Sequence, residues 1–296
     1  MTEASAPEQL VLIDGSGYIF RAFHALPMMM SPEGVPVNAV FGFTKMLMKL
    51  MDDLQPSHVL VIFDAGRVTF RNDIYPEYKQ NRTDPPDELV PQFSLVRDAT
   101  EAMSLPVTEL PGFEADDLIA SYAKMAHESG TDCLIVSSDK DLMQLVRPGV
   151  TMLDPMKQRR ISDAEVVEKF GVLPNRVVDV QSLAGDSTDN VPGVPGIGIK
   201  TAAELINQFG DLDSLLVGAE TIKQPKRREN LVNFAEQARI SRELVRLKDD
   251  VPLDNKIASL VRPHRDMDRL SAFLSGQGFN SLLASIGAKN AASQKT

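Results

Sequence analysis

Three short apolar runs, each closed by an aspartate, constrain this chain more than any other feature: LVLID at 10–14, HVLVIFD at 58–64 and DCLIVSSD at 132–139. Runs that are apolar and β-branched without polar alternation are expected to be strands buried on both faces. Between the first two lies VPVNAVFGFTKMLMKLMDDL, with Val40, Phe43, Leu47, Leu50 and Leu54 at helical spacing. A second helix is expected at ADDLIASYAKMAHES, with Leu118, Ile119, Tyr122 and Met125 on one face and Gly130 as its stop. VTMLDP supplies a fourth strand. Strands alternating with helices imply an α/β fold with a mostly parallel central sheet covered on both faces. Ligands of such sheets bind beyond the carboxyl ends of the strands, where Asp14, Asp64 and Asp139 fall.

From about residue 162 the pattern becomes helical. Ser162 with Glu165 forms a capping box, Gly171 closes that helix and Pro174 opens the next. TAAELINQFG and RRENLVNFAEQARISRELVRL continue the signal. The expected organisation is an α/β domain over 1–172, a smaller helical domain over 173–290 and a flexible polar tail over 291–296. Met28, Met29 and Met30 are expected to pack in the core.

Composition removes several classes of function. At 296 residues and 43% hydrophobic content the chain can build a substantial core. No apolar run approaches the roughly 18 residues of a membrane helix, and MTEASAPEQ has neither the basic nor the apolar region of a signal peptide. The cytoplasm is the expected compartment and no membrane partner is expected. Cys133 is the only cysteine, so neither an intrachain disulfide nor a thiolate metal cage forms, and its place in CLIVSS reads as a buried strand thiol. His24, His58, His127 and His264 show no zinc-ligand spacing, and no P-loop is present. VLIDGSGYIF lacks the third glycine of a dinucleotide loop, since Phe20 stands there. A net charge of −10 argues at first against nucleic acid, but positive charge is concentrated at 77–82, 156–160 and 223–228. Taken singly, each of those runs reads as a solvated face.

The acids carry the chemistry. Asp14, Asp64 and Asp139 end strands, Asp141 follows in SSDKD, and Glu114, Asp116 and Asp117 open the helix after PGFEADD. Each alone has a local explanation as a cap or a first-turn acid favoured by the helix dipole. Gathered on one rim they would repel one another by several kcal/mol unless cations screened them. Carboxylates without His or Cys suit Mg²⁺ or Mn²⁺, and two such ions about 3.5–4 Å apart suit phosphoryl transfer. Asp186 and Asp189, in GDSTDNVPGVPGIGIKTA, are placed to complete a second site. In the same stretch Gly193, Gly196 and Gly198 allow either a tight turn between helices or a backbone cradle for phosphate, with Lys200 adding charge. The two acids just upstream favour the cradle. Lys79 and Arg82, three residues apart in EYKQNR, share a face if that segment is helical, with Pro85 and Pro86 ending it.

Taken in order, LIDGSGYIFRAFHA, VIFDAG, YKQNR, GFEADD, SSDKDLMQL and GDSTDNVPGVPGIGIKTA resemble the 5′ nuclease (flap endonuclease) family, and within it the N-terminal 5′→3′ exonuclease domains of bacterial DNA polymerase I. The resemblance covers roughly residues 9–285. It implies one metal cluster at Asp14, Asp64, Glu114, Asp116 and Asp117 and another at Asp139, Asp141, Asp186 and Asp189. It also implies a basic arch helix carrying Lys79 and Arg82, with Tyr78 beside them on the DNA. The 193–202 segment, with Thr201, resembles the family's helix-hairpin-helix element, which holds duplex DNA by its backbone and often uses a bound K⁺.

The activity so implied is two-metal hydrolysis of DNA phosphodiesters, with Asp14, Asp64, Asp139, Lys79 and Arg82 at the reaction. The cofactor is a pair of Mg²⁺ ions, with Mn²⁺ as substitute. Expected substrates are flapped or branched DNA with a 5′ single strand and RNA primer–DNA junctions, met by a monomer at the bacterial nucleoid during replication and repair. The polymerase relatives continue into further domains whereas this sequence stops at 296, so polymerisation is not expected of it. A junction binder without turnover and a ribonuclease for structured RNA are the alternatives. The first requires lost site acids, and the second sits poorly with a DNA-type hairpin.

Overall fold

In a computed structural model, backbone is described for residues 9–293. The first eight residues of MTEASAPEQ, where no signal peptide is expected, and the last three residues of the expected tail fall outside that range. The chain opens with β1 (Gln9–Asp14), α1 (Gly15–Ala25), α2 (Asn38–Leu54), β2 (His58–Ile62), α3 (Phe70–Ile74), α4 (Gln92–Ala102) and β3 (Val107–Thr108). It continues through α5 (Ala115–Ser129), β4 (Asp132–Val136), β5 (Val150–Asp154), β6 (Arg159–Ile161), α6 (Asp163–Phe170), α7 (Val177–Ala184) and α8 (Ile199–Phe209). Then follow α9 (Leu212–Val217), α10 (Pro225–Asn233), α11 (Ala235–Val245), α12 (Met267–Gly276) and α13 (Asn280–Ser293). Helix α13 therefore takes in 291–293 of the expected tail. The strands are mostly parallel and carry helices, and helices alone build the part that bears the hairpin.

Packing divides the chain into two units that do not follow chain order. The first takes residues up to 63, 84–108 and from 255 onward; the second takes 64–83 and 109–254.

In the first unit β3, β2 and β1 lie side by side and parallel, with Asp14 opposite Ile62. Leu10 to Ile13 and Val59 to Ile62 have no more than a trace of exposed surface, as their unbroken apolar runs require. Helix α2 buries Val40, Phe43, Leu47 and Leu50 at the spacing read from sequence, with Met51 beside them, while Leu54 at its end is only half-buried. It has no cap of its own: the Oε1 of Gln92, on α4, accepts from the backbone N–H groups of Ala39 and Val40 at 2.7 and 3.2 Å. The glycines of VLIDGSG have a steric origin. A Cβ on Gly15 would stand 2.3 Å from the Phe63 ring, and one on Gly17 would stand 2.5 Å from the Asp14 carboxylate that caps α1. Met28 and Met30 are 49% and 55% exposed, contrary to the core packing expected of them. Their segment is fixed by backbone bonds, Ser31 N–H to Val35 and Val37 N–H to Met29, which need no apolar anchor.

In the second unit β4 and β5 are parallel, and β6, hidden from sequence inside the basic run 156–160, closes the edge antiparallel to β5. Helix α5 packs on β4 and ends at Gly130 with φ of 72°. Burial pushes the Cys133 thiol up to about 12, so this strand thiol is inert. Helix α6 has the expected Ser162–Glu165 capping box and stops at Gly171, φ 74°. Among the described residues no helix is long and apolar enough to cross a membrane.

Candidate active site

The acids of PGFEADD work first as a helix cap. Glu114 and Asp117 form a capping box at the start of α5, and Asp64 Oδ1 accepts from the Ala115 N–H at 2.8 Å. Three carboxylates thus take up the free amides and face the positive end of the helix dipole.

Asp117, however, has no exposed surface, and both of its oxygens are filled. Arg71 donates to them at 2.7 and 2.8 Å, and the N–H groups of Glu114 and Lys248 supply two more bonds. With four donors on its two oxygens Asp117, expected among the metal ligands, holds together the start of α5, Arg71 and the Lys248 amide in this structure. Arg71, which no sequence pattern marks, also donates to the carbonyls of Leu244 and Arg246 and lies over the Phe70 ring.

Two loops bring further acids. After β4, Ser137 Oγ accepts from the Asp139 N–H, and Asp139 Oδ1 accepts from the Asp141 N–H at 2.9 Å. Gln181 on α7 donates to Asp141 Oδ1, while Gln144 donates to the carbonyls of Asp141 and Val245. Burial, then the charge of Asp139, raises the Asp141 carboxyl to about 7 against the opposing pull of Lys140 and Gln181. The second loop follows α7 and is closed by paired backbone bonds between Asp186 and Val191. Lys140 reaches Asp186, and although burial alone would raise that carboxyl, the lysine holds it below the usual range.

Glu114, Asp116, Asp139, Asp141, Asp186 and Asp189 line one narrow cleft with Arg71, Tyr78, Lys79 and Arg82. Asp14 belongs to the first unit, where it caps α1.

The basic segment differs from the helix expected. Residues 76–81 form successive turns, and Lys79 has φ of 56°. The competing partner is the acidic loop: the Lys79 N–H donates to the Asp189 carbonyl at 3.0 Å rather than back along its own segment. Lys79 Nζ stands 2.7 Å from Glu114 Oε1 and 3.6 Å from Asp189, and Arg82 pairs with Asp189. Burial alone would lower the Lys79 ammonium, but Glu114 and Asp189 hold it above the ordinary lysine value. The acids' mutual repulsion is thus relieved in part by the protein's own cations, a solution the sequence reading did not include.

Tyr78, expected on the DNA, is buried with Val191, Leu244 and Val245. Its hydroxyl lies 3.3 Å from Glu114 and 3.5 Å from Asp189, so it supports the acids from beneath. Burial, then the charge of Glu114, raises it far above the usual tyrosine value.

The hairpin between α7 and α8 divides its glycines by role. Gly185 (φ 69°) and Gly193 (φ 60°) are pressed together: a Cβ on Gly193 would fall 2.4 Å from the Gly185 nitrogen. The Gly193 N–H is spent on Ser241 Oγ and its carbonyl on Gln237, so neither faces a phosphate, contrary to expectation. Gly196, Gly198 and Lys200 are exposed and Thr201 is half-buried. Gly198 opens α8 without a side-chain cap, and a Cβ there would meet nothing within 4 Å.

As metal donors these groups are all oxygens, the chemistry hard divalent cations prefer. Among the described residues no three of them converge on a point as a metal cage does, because Glu114, Asp186 and Asp189 are drawn to Lys79, Lys140 and Arg82.

Carboxylates from the start of α5, the loop after β4 and the loop after α7 thus face lysine and arginine in one cleft of an α/β frame. The chain belongs to the 5′→3′ exonuclease family: the model for its N-terminal resolvase-like domain matches residues 9–171, and that for its C-terminal SAM fold matches 172–268. DNA polymerase I of Rhizobium leguminosarum is 52% identical over 283 residues, which is 93% of this chain and 28% of the relative. For DNA polymerase I of Bacillus subtilis the identity is 38% over 294 residues, 97% of this chain and 33% of the relative. The chain therefore spans about a third of the length of these polymerases. A bacteriophage T5 flap endonuclease, solved as a pseudo-enzyme–product complex with DNA and metal ions, shares the fold with a TM-score of 0.70 at 24% identity, over 81% of this chain and 90% of that one.

Proposed function

We propose that this chain is a structure-selective 5′→3′ exonuclease and 5′ flap endonuclease that hydrolyses DNA phosphodiesters with divalent metal ions. The observation that carries the reading is the cleft in which six carboxylates meet Lys79 and Arg82, in a chain of the 5′→3′ exonuclease family. Glu114, Asp116, Asp139, Asp141, Asp186 and Asp189 are the residues that would hold two Mg²⁺ ions, or Mn²⁺ in their place. Such ions supply charge neutralisation at the phosphate and a bound water of lowered pKa.

Lys79 and Arg82 exchange a carboxylate partner for a phosphate oxygen and stabilise the charge that builds there. Tyr78 keeps Glu114 and Asp189 in place. The exposed amides of Gly198 and Lys200, with the Lys200 ammonium, receive duplex backbone, and K⁺ belongs at that turn. Contacts of this kind carry no base readout, so selectivity is for the junction of a 5′ single strand with duplex. Removal of primers and flaps at the bacterial nucleoid, by a monomer in the cytoplasm, follows from that substrate, and residues 173–290 act as its duplex-holding part.

The test is a 5′-labelled flap duplex incubated with Mg²⁺, Mn²⁺ or EDTA, beside an Asp139→Ala, Asp189→Ala double variant. Metal-dependent cutting near the junction that the variant loses, while still binding DNA, supports the reading. Tight binding with no cutting under any metal would make the chain a junction-binding module.

A further inference from the structure

The segment that carries Lys79 and Arg82 is tied to the acidic loop by three bonds that involve neither charge. Asn81 Nδ2 donates to the Ser187 carbonyl at 2.7 Å, Asn190 Nδ2 donates to the Glu77 carbonyl at 2.7 Å, and the Lys79 N–H donates to the Asp189 carbonyl at 3.0 Å. The two asparagines are reciprocal, since each reaches from its own segment to the main chain of the other. Asn190 and Lys79 both have φ of 56°, a left-handed conformation that asparagine tolerates better than most residues and that lysine adopts only when held. Lys79 stands between the two asparagine bonds and Arg82 directly after Asn81, with ammonium and guanidinium on Glu114 and Asp189.

We infer that Asn81 and Asn190 are positioning residues, forming a clasp that fixes where the cations of Lys79 and Arg82 stand over the carboxylates. The inference rests on the nuclease reading above. A flexible lysine or arginine pays rotamer entropy for each productive geometry. Tying its backbone to the loop that bears Asp189 removes part of that cost before substrate arrives, the advantage of preorganised charge. Both asparagines lie at or near the surface, so substituting them threatens neither core nor fold.

The experiment compares wild type with Asn81→Ala, Asn190→Asp and Asn190→Gly. Asn190→Asp keeps the size of the side chain but removes the donor, and Asn190→Gly accepts φ of 56° but makes no side-chain bond. Single-turnover flap cleavage with Mg²⁺ is expected to slow by about three- to tenfold in each variant, the worth of one such bond, with DNA Kd within about twofold. On a Lys79→Ala background the same substitutions are expected to cost less than in wild type, since one of the two cations that the clasp positions is gone. In the metal-free protein, amides 77–82 are expected to exchange hydrogen faster in all three variants. Wild-type rates in Asn190→Gly, full additivity with Lys79→Ala, or unchanged exchange would each overturn the clasp. Should wild type itself cut nothing, the nuclease reading fails, and the exchange measurement still decides whether the clasp exists.

Discussion

Arg71 and Asp117 face each other with both carboxylate oxygens bonded, at 2.7 and 2.8 Å, and with almost no surface open to solvent. Such a pair gives little net stability over apolar side chains of the same volume, yet losing one member strands a buried charge. Asp117→Asn or Arg71→Met is therefore expected to cost about 3–5 kcal/mol in urea unfolding at neutral pH. Asp116→Asn, at the cleft, is expected to leave the unfolding midpoint nearly unchanged and to weaken Mn²⁺ binding instead. Calorimetric titration with Mn²⁺ beside the unfolding curves separates the two carboxylates, and loss of metal affinity in a stably folded Asp117→Asn would return Asp117 to the ligands.

The hairpin glycines should separate just as sharply. Gly193→Ala forces a Cβ to within 2.4 Å of the Gly185 nitrogen and at positive φ, a cost of about 2 kcal/mol or more. Gly198→Ala opens onto empty space and is expected to cost only about 0.5–1 kcal/mol, the preference for glycine over alanine at an N-cap. Thermal melts of the two variants, run together, measure the difference.

On the proposed reading Lys79 and Arg82 meet the charge that develops on the phosphate, whereas Lys200 sits at the exposed start of α8. Removing either of the first two is expected to lower the cleavage rate by about a hundredfold. Lys200→Ala is expected to spare the rate at saturating DNA and to reduce the slope of log K against log salt by about one. Equal effects of all three on binding alone would argue against the assigned roles.

Acid stability has an identifiable contributor in Glu165. Bonds from the Ser162 hydroxyl and then the Ser162 N–H draw its carboxyl down to about 2, from 4.5 when free. A depressed folded value means the cap is fully effective above pH 4.5 and is lost as pH falls from there through 2. Glu165→Gln is expected to flatten the pH dependence of unfolding in that window, and an unchanged profile would remove Glu165 from the account.

Much of this was legible beforehand because it rests on local periodicity. The buried strands, the stripe of α2, the stop at Gly130 and the capping box of α6 each follow from residues within one element. Strands β3 and β6 escaped because two or three residues inside polar stretches leave no pattern. The carboxylates were findable from their strand-end and helix-start positions. Arg71, Asn81 and Gln181 were not, since their partners lie 46, 106 and 40 residues away. The helix expected for EYKQNR failed for the same reason: a distant loop offered the Lys79 amide a bond that local propensity could not foresee.

The discontinuous division of the chain sets an order on its birth. During synthesis from the N-terminus, every residue of the second unit has been made once position 254 is joined, while the first unit still lacks everything from 255 onward. The carboxylate cleft can close on the ribosome while β1 and β2 still await the last helices of their own unit.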